Sequence, residues 1–281
     1  MLHRVWKAGS AGASLSCMLG LAVSLTLVLG SALSAQEFAR QRLEQSRRHH
    51  EWVEVKRDGR TIHCFVVYPE KKEKTLAVLV IHENRGLTDW VRLVCDELAE
   101  AGYIGIAPDL LSGHGPGGGK TSDFQSADEA TKALYKLDAA QILADLNAVA
   151  DYAKKLPACN GKLAVCGFCW GGGQCFRFAC ERPDLSAAFV FYGAFPHTRE
   201  QLSKINCPVY GFYAERDARI NATVDNTKAL MQQLGKKFEA VIYPGAGHGF
   251  MRQGDDPKGP EADRKAREEA WKRWKALLAT L

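Results

Sequence analysis

The sequence has no basic stripe and no long run of charge of one sign. Its 37 Lys and Arg residues are interspersed with 32 Asp and Glu residues, which gives a net charge of only +5 over 281 residues. A nucleic-acid partner is therefore not expected. Internal repeats are also lacking. A hydrophobic content of 46% with a mean hydropathy of −0.21 excludes both an intrinsically disordered chain and a polytopic membrane protein.

Acidic residues are entirely absent from the first 35 positions. This segment begins with basic residues and continues as an apolar stretch over 11–33 that ends in small residues. The pattern predicts a secretory signal peptide over 1–35, cleaved after Ala32 or Ala35. The alternative is an uncleaved membrane anchor, because the apolar stretch is long enough to span a bilayer. In either case we expect the rest of the chain to be exported, to the periplasm or outside the cell. Contact with a membrane is expected only if the segment stays uncleaved.

Cysteine is thinly spread rather than clustered. The chain has nine cysteines, and Cys17 lies in the predicted signal peptide. The other eight are expected in an oxidising compartment, which permits disulfides. Their spacing does not define which of them would pair.

Two short segments precede the main body of the chain. Polar residues 36–50 are predicted to form a lead-in helix or a loose segment. Asp58-Gly59 then separates the β-rich runs 52–56 and 61–68. An Asp-Gly pair between such runs predicts a β-hairpin.

Beyond the hairpin, short apolar runs alternate with helical patterns. The run Leu76–His82 is continuous and rich in Val, which is typical of a strand buried on both faces. Further strands are predicted at 104–107, 163–168, 187–192, 209–214 and 238–243, and helices at 89–101, 127–156, 171–182, 223–234 and 261–281. The alternation predicts an α/β fold with one mostly parallel central sheet, helices on both faces and an N-terminal β-hairpin. We assign 51–281 to this single domain.

The segment Gly167-Phe-Cys169-Trp-Gly171 joins a predicted strand to a predicted helix. This is the nucleophile-turn pattern G-x-S-x-G with Cys in place of Ser, and its glycines allow the sharp turn. The turn lifts the sulfur above the sheet edge, where the helix N-terminus favours a thiolate. The backbone N–H of Trp170 can then receive a developing oxyanion. Cys169 is therefore the predicted nucleophile rather than an ordinary buried thiol.

A nucleophile needs a base, and the base needs an orienting acid. In folds of this kind the chain order is nucleophile, acid, histidine. Asp217 and His248 each follow a predicted strand in that order, so both can reach the sheet edge that carries Cys169. Glu215 is a rival for the acid, and Asp225 is a weaker one.

Over about 50–280 the chain resembles the dienelactone hydrolase family of α/β-hydrolases. The resemblance is carried by Gly167-Phe-Cys-Trp-Gly-Gly172, by Asp217 and by Gly247-His-Gly-Phe-Met-Arg252. His82-Glu-Asn-Arg-Gly86 and Ala107-Pro-Asp-Leu110 also fit the family. The resemblance implies an α/β-hydrolase fold. It also implies hydrolysis of a lactone or ester, of the carboxymethylenebutenolidase type, by a Cys–His–Asp triad through an acyl-thioester.

The same resemblance implies roles for residues around the nucleophile. Glu83 would contact the nucleophile in the resting enzyme and take part in switching it on. The backbone N–H of Asn84 would complete the oxyanion hole, and Arg252 would help to hold a substrate carboxylate. Tyr192 ends a predicted strand near the same edge. It is a candidate for lining the pocket, with a core position as the alternative.

One departure from the family pattern concerns the substrate. Dienelactone hydrolases carry a second carboxylate-binding arginine in the helical stretch before the nucleophile turn. Thr131 stands at that place with Lys132 beside it, and 127–143 contains no arginine. We therefore expect a broader class of lactones or esters rather than a carboxylated dienelactone.

Two other functions stay open. One is a non-catalytic binding protein on a hydrolase fold. The other is a thiol–disulfide oxidoreductase using Cys166 and Cys169, which form a C-x-x-C motif, although Cys166 falls inside a predicted strand. Gly113–Thr121 resembles a phosphate-binding loop but has His114 where that pattern needs glycine, so a lid or surface loop is expected.

For the leading hypothesis we expect a small-molecule lactone or ester as substrate. No metal or organic cofactor is implied, because the mechanism needs none and no second pair of metal ligands is evident in the sequence. We expect the protein to be a monomer.

Overall fold

The structure is a computed structural model that describes residues 35–194 and 198–281. The predicted signal peptide or anchor, with its apolar stretch 11–33, lies outside the described residues except for Ala35. Within the described part of the chain, no helix is both long enough and apolar enough to cross a bilayer.

The polar lead-in is a helix, α1, whose described residues are 35–45. It packs Ala39 and Leu43 into the protein. The side-chain oxygen of Gln36 accepts a hydrogen bond of 3.1 Å from the backbone N–H of Trp90. That N–H lies in the first turn of the helix that begins at Asp89, where it has no partner within its own helix.

The predicted hairpin is confirmed. Strands β1 (His49–Arg57) and β2 (Arg60–Tyr68) pair antiparallel along their whole length. Asp58 and Gly59 form the turn with φ angles of 46° and 77°. Two left-handed residues in succession give the turn that matches the twist of the strands, and Asp-Gly adopts it readily.

Six further strands complete an eight-stranded sheet of order β1-β2-β4-β3-β5-β6-β7-β8. They are β3 (Thr75–Ile81), β4 (Ile104–Pro108), β5 (Cys159–Phe168), β6 (Ala187–Phe191), β7 (Val209–Ala214) and β8 (Phe238–Tyr243). β2 pairs antiparallel with β4, and every pairing from β4 to β8 is parallel. The mostly parallel sheet is therefore confirmed.

Eight further helices connect or follow the strands. They are α2 (Asp89–Glu100), α3 (Ala127–Leu134), α4 (Ala139–Lys155), α5 (Trp170–Glu181), α6 (Arg199–Ser203), α7 (Ala218–Gln233), α8 (Phe250–Gln253) and α9 (Glu261–Leu278). The Gly-rich loop predicted at 112–125 holds two single 3₁₀ turns, Pro116–Gly118 and Thr121–Asp123.

Two hydrophobic cores cover the two faces of the sheet. In β3, Ala77, Leu79 and Ile81 point to the face covered by α4, α5 and α7. Their neighbours Leu76, Val78 and Val80 point to the face covered by α1, α2 and α9. Since apolar side chains cover both faces, the strand is apolar at every position from Leu76 to Ile81, which explains its continuous apolar run.

Four elements differ from the sequence prediction. Helix α7 begins at Ala218 rather than Thr223, with Asp217 as its N-terminal cap position. Strand β5 starts at Cys159, earlier than the apolar run that begins at Leu163. The short helices α6 and α8 were not predicted, because four or five residues are too few to show helical periodicity.

Candidate active site

Cys169 lies in the turn between β5 and α5, at the carboxyl edge of the sheet. Its φ of 55° and ψ of −117° place a non-glycine residue in a strained conformation. The glycines around it allow close packing. A Cβ on Gly171 would lie 2.3 Å from the carbonyl oxygen of His82, and one on Gly167 would lie 2.0 Å from that of Gly171. The turn therefore needs glycine at both positions.

The structure brings Cys169, His248 and Asp217 together in one line. Nε2 of His248 lies 3.1 Å from Sγ of Cys169. On its other side, Nδ1 of the same ring lies 2.5 Å from Oδ2 of Asp217. A neutral imidazole with its proton on Nδ1 satisfies both contacts, since Nδ1–H donates to the carboxylate and Nε2 accepts from the thiol.

Neighbouring parallel strands deliver the acid and the histidine. Asp217 follows β7 and His248 follows β8, which pairs with β7. Backbone groups of the loop that carries the histidine are held by two hydrogen bonds. Asp263 accepts a hydrogen bond of 2.8 Å from the N–H of Gly247, and the side chain of Gln253 donates to the carbonyl of His248. The histidine is thus fixed before any substrate arrives.

The structure separates Asp217 from its two rivals. Asp217 is only 8% exposed and contacts the imidazole directly. Glu215 is exposed and accepts a hydrogen bond of 2.7 Å from the N–H of Gly245 instead. Asp225 lies two turns into α7 and is exposed. Of the three carboxylates, only Asp217 can orient the ring.

The thiol of Cys169 is not predisposed to ionise. Burial and the negative charge of Glu83 raise its pKa to about 11. The backbone N–H of Trp170 and the charges of Arg252 and Arg219 act in the opposite direction but do not outweigh burial. The helix N-terminus therefore favours a thiolate in the expected direction, but its effect on the pKa is smaller than that of burial and Glu83. The contact of 3.1 Å fits a thiol that donates a hydrogen bond to Nε2 of His248.

Glu83 and Arg252 form a buried ion pair beside the thiol. Nε of Arg252 donates to Oε2 of Glu83 at 2.8 Å, and their side chains are 11% and 8% exposed. Glu83 influences Cys169 through its charge, while the hydrogen bond of the sulfur goes to His248. Among the described residues, the buried Nη1 of Arg252 has no hydrogen-bond partner.

The two backbone groups expected to bind an oxyanion belong to the nucleophile turn and to the loop that follows β3. The N–H of Trp170 begins α5, and it lowers the pKa of the Cys169 thiol. The N–H of Asn84 has no hydrogen-bond acceptor within the described part of the chain. The indole of Trp170 stacks on the ring of His82, with centroids 5.7 Å apart and planes 14° from parallel. His82 directly precedes Glu83 and Asn84. The stacking contact therefore joins the loop that carries the Asn84 N–H to the residue that carries the Trp170 N–H.

Tyr192 is both a core residue and a pocket residue. Its side chain is fully buried, and its ring edge contacts the ring of His248 with centroids 5.1 Å apart. Its backbone has a positive φ of 38°. Its hydroxyl has no hydrogen-bond partner among the described residues. The two interpretations left open by the sequence therefore both describe this residue.

A cavity of about 500 Å³ opens beside Cys169 and His248. Its described lining includes Trp170 and Tyr192, which the sequence singled out, and Tyr135, Gln174, Arg177, Gln201, Arg219 and Ile220, which it did not. A sequence signal exists for part of the second group. Trp170, Gln174 and Arg177 have the spacing of one helix face that continues from the nucleophile.

The structure does not favour a redox function or a metal site. Cys166 is fully buried in β5 within the core, and burial raises the pKa of its thiol well above the usual range. It therefore does not present a second reactive sulfur beside Cys169. Among the residues that the structure describes, no group of three or more His, Cys, Asp or Glu side chains is arranged to hold a metal ion.

A mostly parallel eight-stranded sheet, with a nucleophile turn, an acid and a histidine meeting in chain order at its carboxyl edge, defines an α/β-hydrolase. The model of the dienelactone hydrolase family matches residues 62–281. The chain belongs to this family and is a hydrolase of the lactone and ester class.

Individual relatives agree with this assignment. A protein of Saccharolobus solfataricus named "Putative carboxymethylenebutenolidase" is 31% identical over 257 residues, which cover 79% of this chain and 95% of the relative. A Salmonella typhi protein of the same name is 30% identical over 204 residues, which cover 68% and 74%. A solved structure from Klebsiella pneumoniae, described as a "Putative Dienelactone Hydrolase", superimposes with a TM-score of 0.73 at 26% identity. It covers 84% of this chain and all of the other.

Proposed function

We propose that the protein hydrolyses lactones or esters with Cys169 as nucleophile, His248 as general base and acid, and Asp217 as the group that orients His248. The observation that carries this proposal is the line of contacts Cys169–His248–Asp217, at 3.1 Å and 2.5 Å. Both distances suit proton transfer from the thiol to the ring and stabilisation of the imidazolium by the carboxylate.

In the first step, Sγ of Cys169 attacks the carbonyl carbon of the substrate. A C–S bond forms, the π electrons of the carbonyl move onto its oxygen, and the thiol proton passes to Nε2 of His248. The transfer must accompany the attack, because a thiol with a pKa of about 11 is protonated at neutral pH. The N–H groups of Trp170 and Asn84 hold the oxyanion.

Collapse of this intermediate breaks the C–O bond to the alcohol oxygen, which takes the proton from His248. The acyl group remains on Cys169 as a thioester. Water then gives a proton to His248 and attacks the thioester carbon. Finally the C–S bond breaks, and the sulfur recovers the proton from His248. An ester yields an acid and an alcohol, and a lactone yields a hydroxy acid.

Glu83 and Arg252 regulate the thiol in this mechanism. Burial and the charge of Glu83 raise the pKa of the thiol, which keeps it protonated at rest and protects it in an oxidising compartment. Arg252 holds Glu83 in place through its Nε, and its buried Nη1 has no hydrogen-bond partner among the described residues. Tyr192 packs against His248 and limits rotation of the ring.

We also propose that the chain is exported through 1–35 and acts as a monomer. The acid-free, apolar N-terminal segment supports export. Cell fractionation with N-terminal sequencing tests it, and a protein that begins after Ala32 or Ala35 in the exported fraction is expected. Light scattering on the purified protein measures its molar mass and so tests whether it is a monomer.

Hydrolysis of p-nitrophenyl acetate and small lactones tests the proposed function. Cys169→Ala should abolish turnover. Cys180→Ala, which removes a buried thiol from helix α5 directly after the nucleophile turn, is the matched control for the loss of a sulfur and should retain activity if it folds. Undiminished turnover by Cys169→Ala would contradict the mechanism.

A further inference from the structure

The backbone N–H of Asn84 lies in the loop between β3 and α2, and we call residues 83–87 of this loop the oxyanion loop. The loop contains one turn of its own, in which the N–H of Gly86 donates to the carbonyl of Glu83 at 3.3 Å. A donor that stabilises an oxyanion must be in place before the charge develops. The position of the Asn84 N–H therefore depends on what holds the two ends of the oxyanion loop.

His82 holds the start of the oxyanion loop, and its side chain is fully buried. Nδ1 of the ring lies 2.7 Å from the carbonyl oxygen of Glu83, and Nε2 lies 3.3 Å from the backbone nitrogen of Leu110. Because the N–H of Leu110 can only donate, Nε2 accepts and Nδ1 carries the proton that is donated to the Glu83 carbonyl. The ring thus joins the first peptide of the loop to the segment that follows β4.

Thr121 holds the other end of the oxyanion loop. Its Oγ1 accepts a hydrogen bond of 3.1 Å from the N–H of Leu87. The same side chain packs against Gly86, where a Cβ would lie 2.2 Å from Oγ1 of Thr121. Thr121 is the last residue of the Gly-rich segment Gly113–Thr121 that the sequence singled out. This segment therefore reaches the oxyanion loop through its final side chain.

Asp109 connects the two ends. Its carboxylate, on a residue only 1% exposed, accepts from the hydroxyl of Thr121 at 2.7 Å, from the N–H of Thr121 at 2.9 Å and from the N–H of Leu111 at 3.0 Å. Because the Thr121 hydroxyl gives its proton to Asp109, its oxygen is directed to accept from Leu87. Asp109 also directly precedes Leu110, the residue that donates to His82. Both ends of the oxyanion loop are thus attached to one buried polar network, and a network of this kind is rigid when its members are satisfied.

We propose that Asp109 and Thr121 are positioning residues that hold the N–H of Asn84 where the substrate oxyanion forms. This inference rests on the proposed function, since it assumes that Cys169 attacks a carbonyl and that Asn84 supplies one oxyanion donor. Neither Asp109 nor Thr121 is among the described residues that line the cavity beside Cys169, so both act through the oxyanion loop. Their removal should slow the reactions of Cys169 that build an oxyanion and spare those that build none.

Two reactions of the same thiol test the proposal. Acylation by p-nitrophenyl acetate passes through a tetrahedral oxyanion, whereas alkylation by iodoacetamide displaces iodide from a saturated carbon and forms no oxyanion. Thr121→Val removes the hydroxyl and keeps the shape of the side chain. In this variant we expect kcat for p-nitrophenyl acetate to fall by about 10- to 100-fold, with little change in KM. The alkylation rate of Cys169, measured at the same pH, should stay within about twofold of the wild type, because the contact of the sulfur with His248 is intact.

Three further variants assign the effect. Thr121→Ser keeps the hydroxyl and should recover most of the wild-type kcat. Thr75→Val is the matched control, since the hydroxyl of buried Thr75 donates to the carbonyl of Gly102 at 2.9 Å and lies at the opposite end of β3 from the oxyanion loop. It should keep both rates. Asp109→Asn replaces one accepting oxygen with an NH₂ group and should show the same separation of the two rates as Thr121→Val. It remains informative if Thr121→Val fails to fold.

The outcomes separate this inference from the proposed function. Hydrolysis that depends on Cys169 but keeps its wild-type kcat in folded Thr121→Val or Asp109→Asn overturns the positioning role and leaves the mechanism standing. Equal falls in acylation and alkylation also overturn it, because the network then acts on the thiol rather than on the oxyanion. An equal fall of kcat in Thr75→Val overturns it as a general effect of lost stability. Turnover by Cys169→Ala equal to that of the wild type overturns the proposed function itself.

Discussion

Arg252 donates to Glu83 across 2.8 Å in a buried ion pair, and this pair lies beside a thiol that is bonded to a different residue, His248. The charge of the carboxylate thereby opposes ionisation of Cys169, while the hydrogen bond of the sulfur goes to His248. A thiol enzyme expected outside the cytoplasm gains from this arrangement, since thiolates are the species that oxidise.

Removal of the Glu83 charge should make the thiol more acidic. In Glu83→Gln the pKa of Cys169 should fall below its wild-type value of about 11, because the carboxylate raises that pKa and Arg252 lowers it. The pH dependence of iodoacetamide alkylation measures the shift, with Cys169→Ala as the background of the seven other described cysteines, which are buried. An unchanged or higher pKa would contradict this role of Glu83.

Asp217 and Glu215 form a matched pair of carboxylates two residues apart. Asp217→Asn should lower kcat by about 10³- to 10⁴-fold, because the amide no longer stabilises the correct imidazole tautomer or the imidazolium. Glu215→Gln should retain activity, since Glu215 contacts the N–H of Gly245 rather than the ring. Similar losses in both variants would mean that the acid has been assigned wrongly.

The nucleophile turn should tolerate no side chain at Gly171. In Gly171→Ala the new Cβ would meet the carbonyl oxygens of Ile81 and His82 at 2.4 Å and 2.3 Å, so α5 must move away from β3. We expect a loss of about 2 kcal/mol or more in the free energy of unfolding, measured in urea. Gly247→Ala is the control, since its nearest neighbours lie at 3.8 Å, and its change should stay within about 0.5 kcal/mol.

Asp255 should make the stability depend on pH. Burial and the charge of Glu97 raise its pKa to about 7, although Arg42 and Arg267 contact it. The folded chain thus holds a proton that the unfolded chain loses near pH 4, and the resulting stabilisation disappears as the pH rises through about 7.

Urea unfolding at pH 5 and pH 8 measures this effect. The free energy of unfolding should fall between pH 5 and pH 8 in the wild type. In Asp255→Asn this fall should be smaller by roughly 1–3 kcal/mol. Asp225→Asn, an exposed change on α7, should match the wild type. An equal pH dependence in wild type and Asp255→Asn would show that another group is responsible.

Much of the fold could be predicted because its signals are local. Asp58-Gly59 defines the hairpin turn through its own backbone preference, and the apolar run of β3 reflects burial on both faces. The line Cys169, Asp217, His248 could be predicted because parallel strands end at one edge. Each of these inferences needs only the neighbouring residues and the general geometry of a sheet.

The charge pattern of the site could not be predicted in the same way. Arg177 and Arg219 lie on two helices, and only the packing of α5 and α7 around one cavity brings them together. The thiol pKa also depends on burial and on Glu83, which is 86 residues earlier in the chain than Cys169. Local sequence around the nucleophile contains only the helix N-terminus, which acts in the opposite direction.

Acid-quenched mass spectrometry tests the central claim most directly. The wild type is mixed with a p-nitrophenyl ester and quenched within the first turnovers. The intact mass and the peptide that carries Cys169 are then measured. We expect one acyl group per chain, on Cys169, that disappears as substrate is consumed. Turnover at the same rate with no acyl group on Cys169, or with the acyl group on another residue, would contradict it.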